Sequence, residues 1–205
     1  MSRETASDRG GTRRLFVAIE LPEEALRVVA EVATALRRLE GGRGVRWVAP
    51  GTVHLTLKFV GTFADSQRPA LETALAGVAA AHPPFDLTTG AVGGFGSPAR
   101  LRVIWLGVGG EVERCAALAA ALDRATGRFG VERATRPLAP HLTLGRVGND
   151  APPALRRRLS ALCAEVASPA PVAFRVSRIS LLQSWLLPGG ARHEVVRRFG
   201  LTGTS

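Results

Sequence analysis

Cysteine is scarce in this 205-residue chain: there are two, Cys115 and Cys163, both inside Ala- and Leu-rich helical patterns. Neither has a Cys-x-x-Cys partner or a histidine close in sequence, so a thiol nucleophile has no support and two buried free thiols are expected. A chain of this length builds a core that needs no disulfide. Long apolar runs are also missing. No segment reaches the length of a membrane helix, and the opening MSRETASDRGGTRR lacks the apolar stretch of a secretory signal. A cytoplasmic monomer with no membrane partner is expected, with residues 1–13 as a disordered lead-in, 14–199 as one domain and 200–205 as a short tail. Lysine is nearly absent: of 27 basic residues only Lys58 is one, so arginine carries the net charge of +10. Such a charge suits a polyanion. An Arg-, Ala- and Gly-rich composition also follows from coding bias, so charge alone is a weak pointer to nucleic acid. The loop VGGFGSP has no Gly-Lys-Ser/Thr and is not a phosphate-binding P-loop.

What is present is a duplication. HLTL occurs at His54–Leu57 and again at His141–Leu144, 87 residues on. The same offset, without gaps, lays HLTLKFVG on HLTLGRVG and the apolar run LFVAIEL (15–21) on RVIWLGV (102–108). Short apolar runs bounded by turn residues read as buried strands. The offset also lays Glu23–Leu39 on Gly110–Thr126, both with apolar residues at helical spacing. Pro22 opens the first of these. Each half then continues with a second helix-like stretch, a proline boundary and another strand-like run. The expected fold is α+β: two pseudo-symmetric lobes, each an antiparallel sheet with helices on its outer face, and a cleft between them. The repeat spans approximately 15–92 and 102–179. Gly-rich loops are expected at 41–44 and 93–100.

Side chains on a strand alternate between faces, so in each motif His and Thr share one face and the two leucines share the other. Leu55, Leu57, Leu142 and Leu144 are expected beneath the helices. His54, Thr56, His141 and Thr143 are expected to converge on the cleft. Hydrolysis of a cyclic phosphodiester asks for that set. One group takes a proton from water, another gives one to the departing oxygen, and hydroxyls donate to the phosphate oxygens. Histidine, with an ordinary pKa of about 6.5, can do either task. The sequence does not say which histidine does which. A single His on a half-exposed strand is usually a satisfied surface residue; two at equivalent places in a repeat, each with Thr two residues on, are candidate catalytic residues. The two motifs offer only two nitrogen ligands, fewer than zinc usually takes, so no metal or other cofactor is expected. His82, before Pro83 at a helix end, and His193, on a C-terminal strand, are expected at the surface.

These residues resemble the 2H phosphoesterase superfamily, defined by two His-x-Thr/Ser-x motifs. Within it, RLFVAIELP, VRWVAPGTVHLTLKFVG, GGFGSPARLRVIWLGV and RPLAPHLTLGR are similar to segments of the RNA 2′,3′-cyclic phosphodiesterases, also called 2′-5′ RNA ligases. The resemblance runs from Arg14 to about Phe199. It implies hydrolysis of a 2′,3′-cyclic phosphate at an RNA end, tRNA fragments among the candidates, to leave a 2′-phosphate. It further implies that His54 gives the proton to the leaving 3′ oxygen and that His141 activates water. It implies a phosphate-binding role for Arg146. Strict alternation opposes this, because Arg146 lies five residues past His141 and reaches the cleft only if the strand bulges or ends first. Its repeat counterpart is Phe59, which offers no help. Trp47 and Phe95 could stack on a base, although packing between lobes is the commoner use of such residues. Three other readings stay open: ATP-independent 2′-5′ joining of RNA ends, turnover of small cyclic nucleotides, and a non-catalytic basic RNA-binding module.

Overall fold

A computed structural model describes residues 11–40, 44–166, 169–187 and 190–204. The first repeat forms β1 (Thr12–Glu20), α1 (Glu23–Glu40), β2 (Val45–Trp47), β3 (His54–Ala64), α2 (Arg68–Ala80) and β4 (Phe85–Phe95). The second forms β5 (Val103–Gly110), α3 (Val112–Gly127), β6 (His141–Val147), α4 (Pro153–Glu165) and β7 (Ala173–Val176); β8 (Arg178–Leu187) and β9 (Gly190–Gly200) close the chain. In α1, Ala25, Val29, Val32, Ala33 and Leu36 fall on one stripe and are buried. Glutamates in its first turn and arginines in its last suit the helix dipole.

The strands form one curled antiparallel sheet in the order β7-β4-β5-β6-β3-β1-β8-β9, with β2 added beside β6. β3 and β6 meet at a single pair, Leu55 opposite Leu142. That seam separates two half-sheets of four strands, in which β1 and β3 of the first repeat correspond to β5 and β6 of the second. The lobes do not coincide with the sequence halves: β4 pairs with β5 of the second repeat, and β8 returns to pair with β1. The first repeat therefore lends β4 to the second lobe and the C-terminal strands return to the first, which locks the two together.

The main core lies between the sheet and the helices. Leu55, Leu142 and Leu144 are fully buried there and Leu57 nearly so, on the face expected of them. Cys115 and Cys163 are buried free thiols, pushed up to about 12 and about 11 by burial. On the sheet's other face a smaller cluster of Phe16, Ala18 and Leu182, backed by Val195, supports the cleft floor.

Several boundaries differ from the sequence reading. β1 begins at Thr12, because Arg13 is fixed by Asp65 (2.6 Å) and Gln183 (2.8 Å). Residues 1–10 and most of the expected loop at 41–44 lie outside the described residues. Gly93 and Gly94 belong to β4 rather than to a loop; a side chain at Gly93 would strike the Trp105 ring at 2.2 Å. After β9 the chain packs back onto the domain: Leu201 is buried and Gly203 donates to the His82 carbonyl at 3.0 Å. His82 is half-buried, its Nδ1 donating to the Val78 carbonyl at 2.8 Å. Among the described residues no helix is long and apolar enough to cross a membrane.

Candidate active site

The two His-x-Thr strands lie at the seam, and His54, Thr56, His141 and Thr143 all stand half-buried on the face away from the helices. Both imidazoles are set in the same way. Nδ1 of His54 donates to the Thr52 carbonyl at 2.9 Å, and Nδ1 of His141 donates to the Ala139 carbonyl at 2.8 Å. Carbonyls only accept, so each Nδ1 carries the proton and each Nε2 is left for the cleft. The two carbonyls are themselves 87 residues apart, so the repeat extends to the groups that fix the tautomers.

A second device is duplicated as well. Opposite β5, Trp105 pairs with Thr143 but Ile104 with Gly145, so Leu144 is an extra residue in β6. Opposite β1, Ala18 pairs with Thr56 but Val17 with Lys58, so Leu57 is extra in β3. A bulge resets the alternation after it. Gly145 therefore turns inward and Arg146 outward onto the histidine face; Lys58 turns inward and Phe59 outward. The arginine required a bulge to reach the cleft, and the bulge is there. Phe59 is not the uninformative counterpart that the alignment suggested, since it shares the bulge and is 63% exposed.

The resulting cleft measures about 810 Å³ and is lined by His54, Thr56, Thr143 and Arg146 from the predicted set, with Trp47 beside them. His141 stands just outside that lining, its ring against the edge of Phe95 at 4.7 Å. Neither threonine hydroxyl has a hydrogen-bond partner among the described residues. The cleft is cationic: Arg14, Arg46 and Arg146 line it, and among the described residues no carboxylate does. Arg46 and Arg146 are opposite one another across β2 and β6, a like-charge pairing that an anion between them would relieve. The nearest acid in register with His54, Glu20, is turned to Ser180 and Arg198.

His193 corrects the surface expectation. It lines the cleft from β9, its ring edge-on to His54 at 5.2 Å and to Phe16 at 5.0 Å. Its Nδ1 is buried without a partner among the described residues, and burial lowers its pKa. The sequence holds no signal for this placement, which depends on the β8–β9 register. Burial pushes His54 down to about 4; the Thr52 carbonyl opposes the shift, and the charges of His193, Arg146 and His141 add to it. Among the described residues no group of three or more His, Cys, Asp or Glu side chains could hold a metal ion.

A duplicated α+β unit whose two His-x-Thr strands meet at the centre of one curled sheet defines a 2H phosphoesterase. The chain belongs to the 2′-5′ RNA ligase superfamily, whose family model matches residues 16–184. A protein of Methanothermobacter thermautotrophicus named RNA 2′,3′-cyclic phosphodiesterase is 32% identical over 92% of this chain and 98% of its own length. The crystal structure of TT0787 of Thermus thermophilus superposes with a TM-score of 0.77 at 26% identity, covering 94% of this chain and all of that one. Escherichia coli LigT complexed with 3′-AMP gives a TM-score of 0.71 at 29% identity over 93% of this chain and 99% of LigT.

Proposed function

We propose that the protein hydrolyses 2′,3′-cyclic phosphate ends of RNA to 2′-phosphomonoesters by paired-histidine catalysis that needs no metal. The observation that carries this reading is the matched pair of imidazoles, each with Nδ1 tied to a backbone carbonyl and Nε2 free. The names of the relatives agree with it. In the reaction a water oxygen bonds to phosphorus as the bond to the ribose 3′ oxygen breaks. His141 Nε2 takes a proton from the water, and His54 Nε2 returns one to the 3′ oxygen. Thr56, Thr143 and Arg146 hold the non-bridging oxygens, where charge accumulates. With its pKa lowered to about 4 by burial, His54 is neutral near pH 7 before substrate binds. The phosphodiester anion opposes the effect of burial and lets His54 enter the reaction protonated. The His54 pKa read from kcat, which reports the complex, therefore lies above the one read from kcat/KM, which reports the free enzyme at about 4. Coincident values in the two pH profiles would contradict this order of events.

The direct test is a short RNA ending in a 2′,3′-cyclic phosphate, incubated with the protein in EDTA. Conversion to a 2′-phosphate supports the proposal. RNA binding without turnover would favour a non-catalytic module, and turnover lost in EDTA would contradict the metal-free reading.

The bulge gives a further prediction. A Cβ at Gly145 would lie 2.5 Å from Val45 Cγ1 and 3.0 Å from the Trp47 ring. Gly145→Ala thus pushes β2 off the bulge that aims Arg146. A misplacement on the order of 1 Å can cost roughly a hundredfold, so kcat/KM on the same RNA should fall about 10- to 100-fold while the protein stays folded by circular dichroism. An unimpaired Gly145→Ala enzyme would show that Arg146 does not depend on this bulge.

A further inference from the structure

His193 takes no part in the chemistry above, yet it stands against one of the two imidazoles that do. Its ring lies 5.0 Å from Phe16 and 5.2 Å from His54, and these two rings are 4.9 Å apart, so the three close a triangle. The strand order β6-β3-β1-β8-β9 sets His141 on one flank of His54 and His193 on the other. The two nitrogens of His193 differ. Nδ1 is buried with no hydrogen-bond partner among the described residues. Nε2 is not buried in this way, so it is the nitrogen through which His193 meets the cleft it lines. Orphaned buried N–H groups are rarer than orphaned acceptors, and a proton on Nδ1 would find no acceptor there. The proton therefore sits on Nε2. Burial lowers the pKa of the ring, which is neutral near pH 7. His54 and His141 are protonated the other way round, with the proton on Nδ1 and a lone pair at Nε2. Among the described residues no carboxylate lines the cleft, so the His193 N–H meets no anionic acceptor of the protein's own.

A neutral N–H donor presented to a cationic cleft suits a substrate oxygen on which negative charge gathers. In-line displacement decides which oxygen that is. Water activated by His141 attacks phosphorus from one side, and the departing oxygen leaves on the opposite side, where His54 and His193 stand. We infer that His193 is a further catalytic residue, whose Nε2–H donates a hydrogen bond to the departing ribose 3′ oxygen. As the bond from phosphorus to that oxygen breaks, its electron pair passes to the oxygen. The oxygen takes its proton from His54 Nε2 and accepts a hydrogen bond from His193, which keeps its own proton. A neutral donor fits this place, since a charged His193 would oppose the protonation of His54. The inference rests on the proposed cyclic phosphodiesterase reading.

The test uses the full chain and a short RNA ending in a 2′,3′-cyclic phosphate. His193→Phe keeps a ring against Phe16 and removes the donor, whereas His193→Gln gives up the ring and keeps an N–H near the position of Nε2. His193→Phe should lower kcat by about 10- to 150-fold, the worth of a hydrogen bond to a charged oxygen. KM should stay within about threefold, because the bond strengthens only as charge gathers on the leaving oxygen. His193→Gln should hold kcat within about fivefold of wild type. A ring that serves only packing gives the opposite order, with His193→Phe active and His193→Gln impaired. That order, a kcat unmoved in His193→Phe, or equal losses in the two variants would overturn the donor while leaving the catalytic reading intact. Absence of wild-type turnover would instead overturn the catalytic reading itself.

Discussion

His54→Ala and His141→Ala should each lower kcat on a cyclic-phosphate RNA end by roughly 10²- to 10⁴-fold, the usual contribution of a positioned general acid or base. Neither change should unfold the protein. Both residues are half-buried, and each gives up one hydrogen bond to a backbone carbonyl, worth on the order of 1 kcal/mol. The two histidines serve the same bond-breaking event, so the double variant should fall little below the weaker single one. Independent, multiplicative losses would mean that the two act in separate steps. Full activity in either single variant, with the melting temperature unchanged, would remove that histidine from the mechanism.

Much of this arrangement is legible in the sequence, and for a specific reason. An ungapped repeat copies not only elements but their order, so two HLTL segments imply two equivalent strands, and period-two alternation places their histidines and threonines together. The strand exchange between lobes could not be read from hydrophobic pattern, which gives a strand's faces and not its neighbour, although the family resemblance allows strands to cross between lobes. The bulges were hidden for a related reason. Nothing in HLTLKFVG marks Leu57 as the residue without a partner; strict alternation would bury Phe59 and send Lys58 to the cleft, a choice that hydrophobicity also favours. The register against β1 reverses both. His193 was misread because its face depends on the β8–β9 register, in which it lies opposite Ser184. Arg13 and Leu201, at the edges of the domain, are held by distant partners that composition cannot show.

Lys58, the chain's one lysine, supplies the largest expected effect on stability. The bulge drives its side chain into the interior, where Nζ donates to Asp123 at 2.6 Å and to the Glu132 carbonyl at 2.5 Å. Asp123, at the end of α3, also accepts from Arg133 Nε at 2.5 Å and from the Ala134 amide at 2.9 Å. One carboxylate thereby ties the first motif strand to the segment that leads into the second motif. Truncating one partner of a buried ion pair strands the other charge and costs about 3–5 kcal/mol. Because Arg133 and the Ala134 amide remain, Lys58→Met should cost about 3 kcal/mol, or roughly 6–12 °C in melting temperature for a domain of this size. The loss should depend on pH in a defined way. Burial alone would raise the Asp123 carboxyl, but the donors from Lys58, Ala134 and Arg133 outweigh it and bring it down to about 2, below the ordinary 3.8. A depressed carboxylate stabilises the fold above its unfolded pKa and loses that contribution as pH falls through the folded one. The gap in melting temperature between wild type and Lys58→Met should therefore hold at neutral pH and close as pH drops from about 4 toward about 2. Melting curves across that range decide the matter: a gap under about 2 °C at neutral pH, or one that persists unchanged into acid, would mean that the lysine is held by packing along its alkyl stem and not by its charge.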